Sequence, residues 1–152
     1  MIVFLLRHAD RRPEPQDDLA PAGVERARLL ARMVGESGVS VGFCSEAVRA
    51  RRTLEPLEHR LGDGLTIKVV RTDGPGGTDA HVQEIVRAVK RLPADAVGII
   101  VSHSNTVGPI IERLGGAAIG DIAEHEFDKL FVLFIDPSGA ASLLRLRYGA
   151  AT

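Results

Sequence analysis

The 152-residue chain has a single cysteine, Cys44, so no disulfide can form within it, and no cluster of cysteines and histidines has the spacing of a structural zinc site. It has no apolar run approaching the roughly 20 residues that a membrane-spanning helix requires. The opening run, Ile2 to Leu6, is also too short and lacks the basic flank of a secretory leader, which makes cytoplasm the expected location. A surplus of either charge is missing as well. The net charge of −1 leaves no basic excess for non-specific binding to nucleic acid or an anionic membrane surface. Lysine is scarce, confined to Lys68, Lys90 and Lys129, so nearly all the positive charge is arginine. Linkers, repeats and low-complexity tracts are absent, and the length suits one domain over residues 1–152.

What is present is an alternation of short apolar runs with stretches of helical period. Ile2–Leu6 reads as a strand covered on both faces, and Val39–Phe43, Leu65–Val70 and Ala96–Val101 as three further strands. Between them lie apolar stripes of helical spacing. Val24, Ala27, Ala31 and Val34 form one, with Pro21 suited to the first turn. Ala47, Ala50, Leu54, Leu57 and Leu61 form the second, and Val82, Ile85, Val86, Val89 and Leu92 the third. A fourth helix carries Val107, Ile110, Ile111 and Leu114, and Leu130–Ile135 and Ser142–Leu146 read as a hairpin turned at residues 136–139. The expected fold is α/β, a three-layer sandwich around a mixed, mainly parallel central sheet, with right-handed crossovers.

In such sheets sites form beyond the carboxyl ends of the strands. Arg7 and His8 follow the first run, and Ser45 the second, with Arg49 one turn further on. Asp73 follows the third, and Ser102, His103 and Ser104 the fourth. Two histidines, two arginines and a carboxylate at one edge suit phosphoryl transfer. Arginine forks bind phosphoryl oxygens by charge-assisted hydrogen bonds, the helix N-termini after Ser45 and Ser104 add backbone donors, and an imidazole can act as the nucleophile. These cations already neutralise the oxygens, so neither metal nor other cofactor is called for.

Four segments resemble the histidine phosphatase superfamily, the phosphoglycerate mutase-like family. Leu5-Leu6-Arg7-His8-Ala9-Asp10 is similar to its Arg-His-Gly/Ala signature, and Leu19-Ala20-Pro21-Ala22-Gly23 to its Leu-Thr/Ser-x-x-Gly. Cys44-Ser45-Glu46-Ala47-Val48-Arg49-Ala50-Arg51-Arg52-Thr53 is similar to Ser-Ser-x-x-x-Arg-Ala-x-x-Thr, and Val101-Ser102-His103-Ser104-Asn105-Thr106 stands where the family has its second histidine. The resemblance runs from Leu5 to about Tyr148 and implies a phosphoglycerate mutase-like fold. It makes His8 the phosphorylated nucleophile, with Arg7, Arg49 and His103 as the phosphate pocket and Ser104 beside it. His8 would attack as the neutral base with a carbonyl on its other nitrogen, and His103 would serve as a cation or donor.

The family's leaving-group acid has no exact counterpart, since Ser104 follows His103. Asp73 stands nearest the usual place, with Asp79, Glu84 and Glu126 as alternatives. The length and lack of a lid resemble the small phosphohistidine phosphatases. The expected partner is therefore a phosphoprotein or phosphorylated small molecule, hydrolysed as a phosphomonoester or phosphoramidate. Rival readings are a narrow sugar or nucleoside phosphatase and a catalytically weak phosphoprotein-binding domain. Ser45 is expected as a helix cap, Ser102 as packed at the strand end, and His59, His81 and His125 as surface histidines, although His81 could reach the cleft and Glu124-His125-Glu126 could line its rim.

Overall fold

The computed structural model describes all residues, 1–152. The elements run β1 (Ile2–Arg7), α1 (Pro21–Val34), β2 (Val41–Cys44), α2 (Val48–Leu61), β3 (Thr66–Val69), α3 (Gly77–Val89), β4 (Val97–Ser102), α4 (Val107–Arg113), β5 (Lys129–Ile135) and β6 (Ala141–Arg147). The strands form one sheet in the order β3-β2-β4-β1-β5-β6. Pairings β3–β2, β2–β4 and β4–β1 are parallel, while β1–β5 and β5–β6 are antiparallel, so the sheet is mixed. The β5–β6 pairing follows from connectivity: the closing hairpin returns on itself with a short turn, which only antiparallel strands permit.

Alternation along each strand divides the core. Val3 and Leu5 of β1, Val41 and Phe43 of β2 and Ile100 of β4 face the cluster that contains Val82, Ile85, Val86 and Val89 of α3 and Ile110 and Ile111 of α4. Leu6, Cys44, Ile99 and Val101 face the opposite cluster, with Leu30 and Val34 of α1 and Ala50, Leu54 and Leu57 of α2. Strands buried on both faces account for the unbroken apolar runs. β3 is shorter than Leu65–Val70 because it is a sheet edge, where Lys68 and Val69 lie exposed. No helix is long and apolar enough to cross a membrane.

One glycine matters to the site. A Cβ on Gly23 would lie 2.1 Å from the carbonyl oxygen of Asp10, so only glycine lets α1 approach the loop after β1. Arg26, a turn further along α1, clamps the same loop through a 2.6 Å ion pair with Asp10 and also donates to the Tyr148 and Ala150 carbonyls. The segment carrying His8 is thereby fixed from below.

Candidate active site

The parallel strands bring their carboxyl ends to one edge. Arg7 of β1 is in register with Ser102 of β4, and the backbone N–H of His8 donates to the Ser102 carbonyl at 2.9 Å. A cleft of about 410 Å³ opens there, and none of its ten lining residues is apolar. Arg7, His8, Arg49, His103 and Ser104 line it as the sequence suggested, joined by Arg11, Thr72, Thr78, Asn105 and Glu124. Three arginines against one carboxylate make it a cationic depression. Two larger clefts, of about 500 and 530 Å³, lie elsewhere; the first has three arginines but sets two carboxylates and a single histidine beside them, and the second has no histidine.

His8 is buried, with Nδ1 2.9 Å from the carbonyl of Ala9. A carbonyl can only accept, so Nδ1 carries the proton and Nε2 the lone pair. Burial, reinforced by Arg7, His103 and Arg49, outweighs the Ala9 bond and lowers the His8 pKa to about 3. The Ala9 N–H in turn donates to Thr53 Oγ1 at 2.9 Å, and the Thr53 hydroxyl donates to the Arg49 carbonyl at 2.8 Å. Thr53 thus ties the loop that carries His8 to α2.

The His103 ring lies edge-on to His8, with centroids 5.5 Å apart. Its Nε2 is 2.8 Å from Ser45 Oγ, so Ser45 partners the second histidine. As a helix cap it offers only a long 3.3 Å contact to the Ala47 N–H. Burial, with Arg49 next in effect, brings the His103 pKa down to about 4. In the free protein the ring is neutral, which leaves it the donor role rather than the cation of the two that were expected.

Arg7 is held from behind. Its Nη1 donates to the carbonyls of Ala123 at 3.0 Å and Glu124 at 2.7 Å, and its guanidinium lies 4.3 Å from the Phe127 ring centroid. Nη2 is 3.4 Å from the Glu124 carboxylate, and Nε is buried without a partner. Arg49 also has a buried, unpartnered Nε, while its Nη1 donates to Asp17 at 2.6 Å.

The expected helix N-termini are not open anion sites. Asp17 accepts from the Val48 and Arg49 N–H groups at 2.9 and 3.4 Å and so closes the start of α2. Burial disfavours its charge, but the bonds from Arg49 and Val48 outweigh that and hold its carboxyl below the usual range. On α4, the Val107 N–H is used by the His103 carbonyl.

Asp73 does not line the cleft. Its carboxylate is turned to Arg71, at 2.8 and 2.6 Å, because an exposed cation two residues away satisfies it at the surface. Of the alternatives, Asp79 pairs with Arg113, and Glu126 with Lys129 and Arg147, while Glu84 is exposed on α3. Glu124 is the carboxylate on the lining, in the segment Glu124-His125-Glu126 that was placed at the rim from sequence, whereas nothing in the sequence pointed to Asp17. His59 and His125 are exposed as expected. His81 is not: it is fully buried, with Nδ1 at the Val70 carbonyl and Nε2 at Ser102 Oγ. Its place four residues before Ile85, on the buried stripe of α3, was the signal for this.

No family model and no curated protein matches the chain at the level of sequence. Solved structures do. The protein histidine phosphatase SixA complexed with tungstate superimposes with a TM-score of 0.67 at 21% identity, over 97% of each chain. A Nakamurella multipartitia structure assigned as the phosphohistidine phosphatase SixA gives 0.63 at 25% identity, over 99% of this chain and 96% of that one. Mycobacterial glucosyl-3-phosphoglycerate phosphatase, in complex with VO3, gives 0.68 at 15% identity, over 99% of each chain. The chain shares its fold, over nearly its whole length, with structures named as phosphohistidine phosphatases and with a glucosyl-3-phosphoglycerate phosphatase alike.

Proposed function

We propose that the protein is a phosphatase that hydrolyses phosphomonoesters or protein phosphohistidine through a phosphohistidine intermediate on His8. The observation that carries this reading is the state of His8: a buried, neutral imidazole, Nδ1 engaged by the Ala9 carbonyl, in a cleft lined by three arginines and no apolar side chain. Nε2 attacks phosphorus and the bond from phosphorus to the leaving group breaks, that group taking the electron pair. Arg7, Arg49, His103 and Ser104 face the three equatorial oxygens, where the transition-state charge gathers. Water then attacks phosphorus, the N–P bond breaks with its electrons returned to His8, and inorganic phosphate leaves with the water's oxygen.

A phosphohistidine or aryl phosphate suits this site better than an alkyl phosphate. The one carboxylate on the lining, Glu124, is turned to Arg7 at 3.4 Å, so an alkoxide would leave without a ready proton. Two of the similar structures hold oxyanions that mimic a phosphoryl group, tungstate and VO3, and names among them include phosphohistidine phosphatases. The test is phosphate release from p-nitrophenyl phosphate and from a histidine-phosphorylated protein, with chelator present. Wild type is expected to turn over both, and His8→Ala to lose at least about 10³-fold. Near-normal release by His8→Ala overturns the mechanism.

A further inference from the structure

We propose that His81 is a positioning residue for His103, acting through a buried hydrogen-bonded chain that runs from His81 through Ser102 and Thr106 to the His103 backbone. The inference rests on the reading of His103 as part of a phosphoryl site. The direction of each bond follows from the first. Nδ1 of His81 lies 2.7 Å from the Val70 carbonyl, so it donates. Nε2 must then accept, and it takes the Ser102 hydroxyl proton at 2.8 Å. With that proton spent, Ser102 Oγ accepts from the Thr106 hydroxyl at 2.7 Å. Thr106 Oγ1 in turn accepts the His103 N–H at 3.0 Å.

The placement of these residues gives the chain its effect. Ser102 ends β4 and Thr106 immediately precedes α4, so the bonds close a ring around the turn from which His103 projects. His81 ties that ring to the end of β3, where Val70 is itself bonded to Cys44 of β2. All three side chains are at most 1% exposed, so water cannot replace a link that is lost. An apolar residue would fill the α3 stripe at lower desolvation cost. A fully satisfied polar chain specifies one arrangement of the turn instead. Burial holds His81 below the usual histidine range despite the Val70 bond, which keeps Nε2 an acceptor. The His103 ring, 5.5 Å from His8, takes its position from this ring of bonds.

Ser102→Ala cuts the chain in the middle, and Thr106→Val removes its last link with little change of shape. Each is expected to lower kcat on p-nitrophenyl phosphate about 10-fold with a smaller change in KM, as a displaced catalytic group does. The double variant is expected to fall no lower than Thr106→Val alone, because a cut chain has nothing left to transmit. Losses that multiply would mean separate packing roles and would overturn the proposal. A second readout needs no turnover: the NMR titration of the His103 ring in folded Ser102→Ala. That variant leaves the ring's own contacts intact, so a shift supports the coupling and an unmoved titration overturns it. If wild type releases no phosphate from any substrate, the phosphatase reading fails separately, and the ring titration still decides the role of His81.

Discussion

The carboxylate of Asp17 lies 2.6 Å from Nη1 of Arg49 and at the same time accepts the first backbone N–H groups of α2. One side chain from the loop before α1 therefore fixes both the helix that carries Arg49 and the direction of its guanidinium. The Nε of Arg49 is left buried and unpartnered beside the cleft.

These two duties separate by substitution. Asp17→Asn keeps an oxygen for the helix N–H groups but loses the ion pair. It is expected to raise KM for p-nitrophenyl phosphate severalfold with little change in the denaturation midpoint. Asp17→Ala loses the cap as well and is expected to cost about 1 kcal/mol of stability in a denaturant titration. Equal KM for wild type and Asp17→Asn would show that Arg49 needs no such support.

Acid should weaken the fold before it protonates the folded protein's site. His8 and His103 have folded pKa values of about 3 and about 4, below the unfolded histidine value near 6.5. Between those values the unfolded chain binds protons that the folded one refuses, so stability is full above pH 6.5 and falls as the pH drops toward 4. The slope from each histidine is up to about 1.4 kcal/mol per pH unit. Urea denaturation at pH 7, 6 and 5 should show the decline, and His103→Gln should make it shallower. A flat profile in wild type would mean that these rings are not held neutral.

Carboxylates on and off the cleft should behave differently. Asp73→Asn is expected to leave kcat/KM on aryl and alkyl phosphates within about twofold, as befits a surface change that touches nothing in the cleft. Glu124→Gln removes the negative charge next to Arg7 and is expected to lower KM for a dianionic substrate, with kcat unchanged. A fall in kcat for alkyl but not aryl phosphates in Glu124→Gln would assign it the proton donation expected of Asp73, and the same pattern in Asp73→Asn would show that the loop reaches the site during turnover.

Much of the frame was legible because it depends on local pattern. The short apolar runs marked the strands, and the rule that sites gather at their carboxyl ends brought Arg7, His8, Arg49 and His103 together. Asp17 was not legible, since it reaches the site from a long loop whose path no periodicity encodes; Glu124 was legible only as part of a rim segment before the fifth strand. Asp73 misled for a related reason: its position after the third apolar run was right, but the nearby Arg71 satisfies it first. The burial of His81 was encoded locally as well, because its spacing to Ile85 puts it on the apolar stripe of α3.

A cleft without a single apolar wall also bears on inhibitor design. Hydrocarbon bulk would find nothing to rest on there, so affinity would have to come from charge and hydrogen bonding, the contributions that salt screens most strongly. Compounds built for this site would be small, highly charged and slow to enter cells. A selective compound would have to extend beyond the cleft to surfaces that related folds do not share.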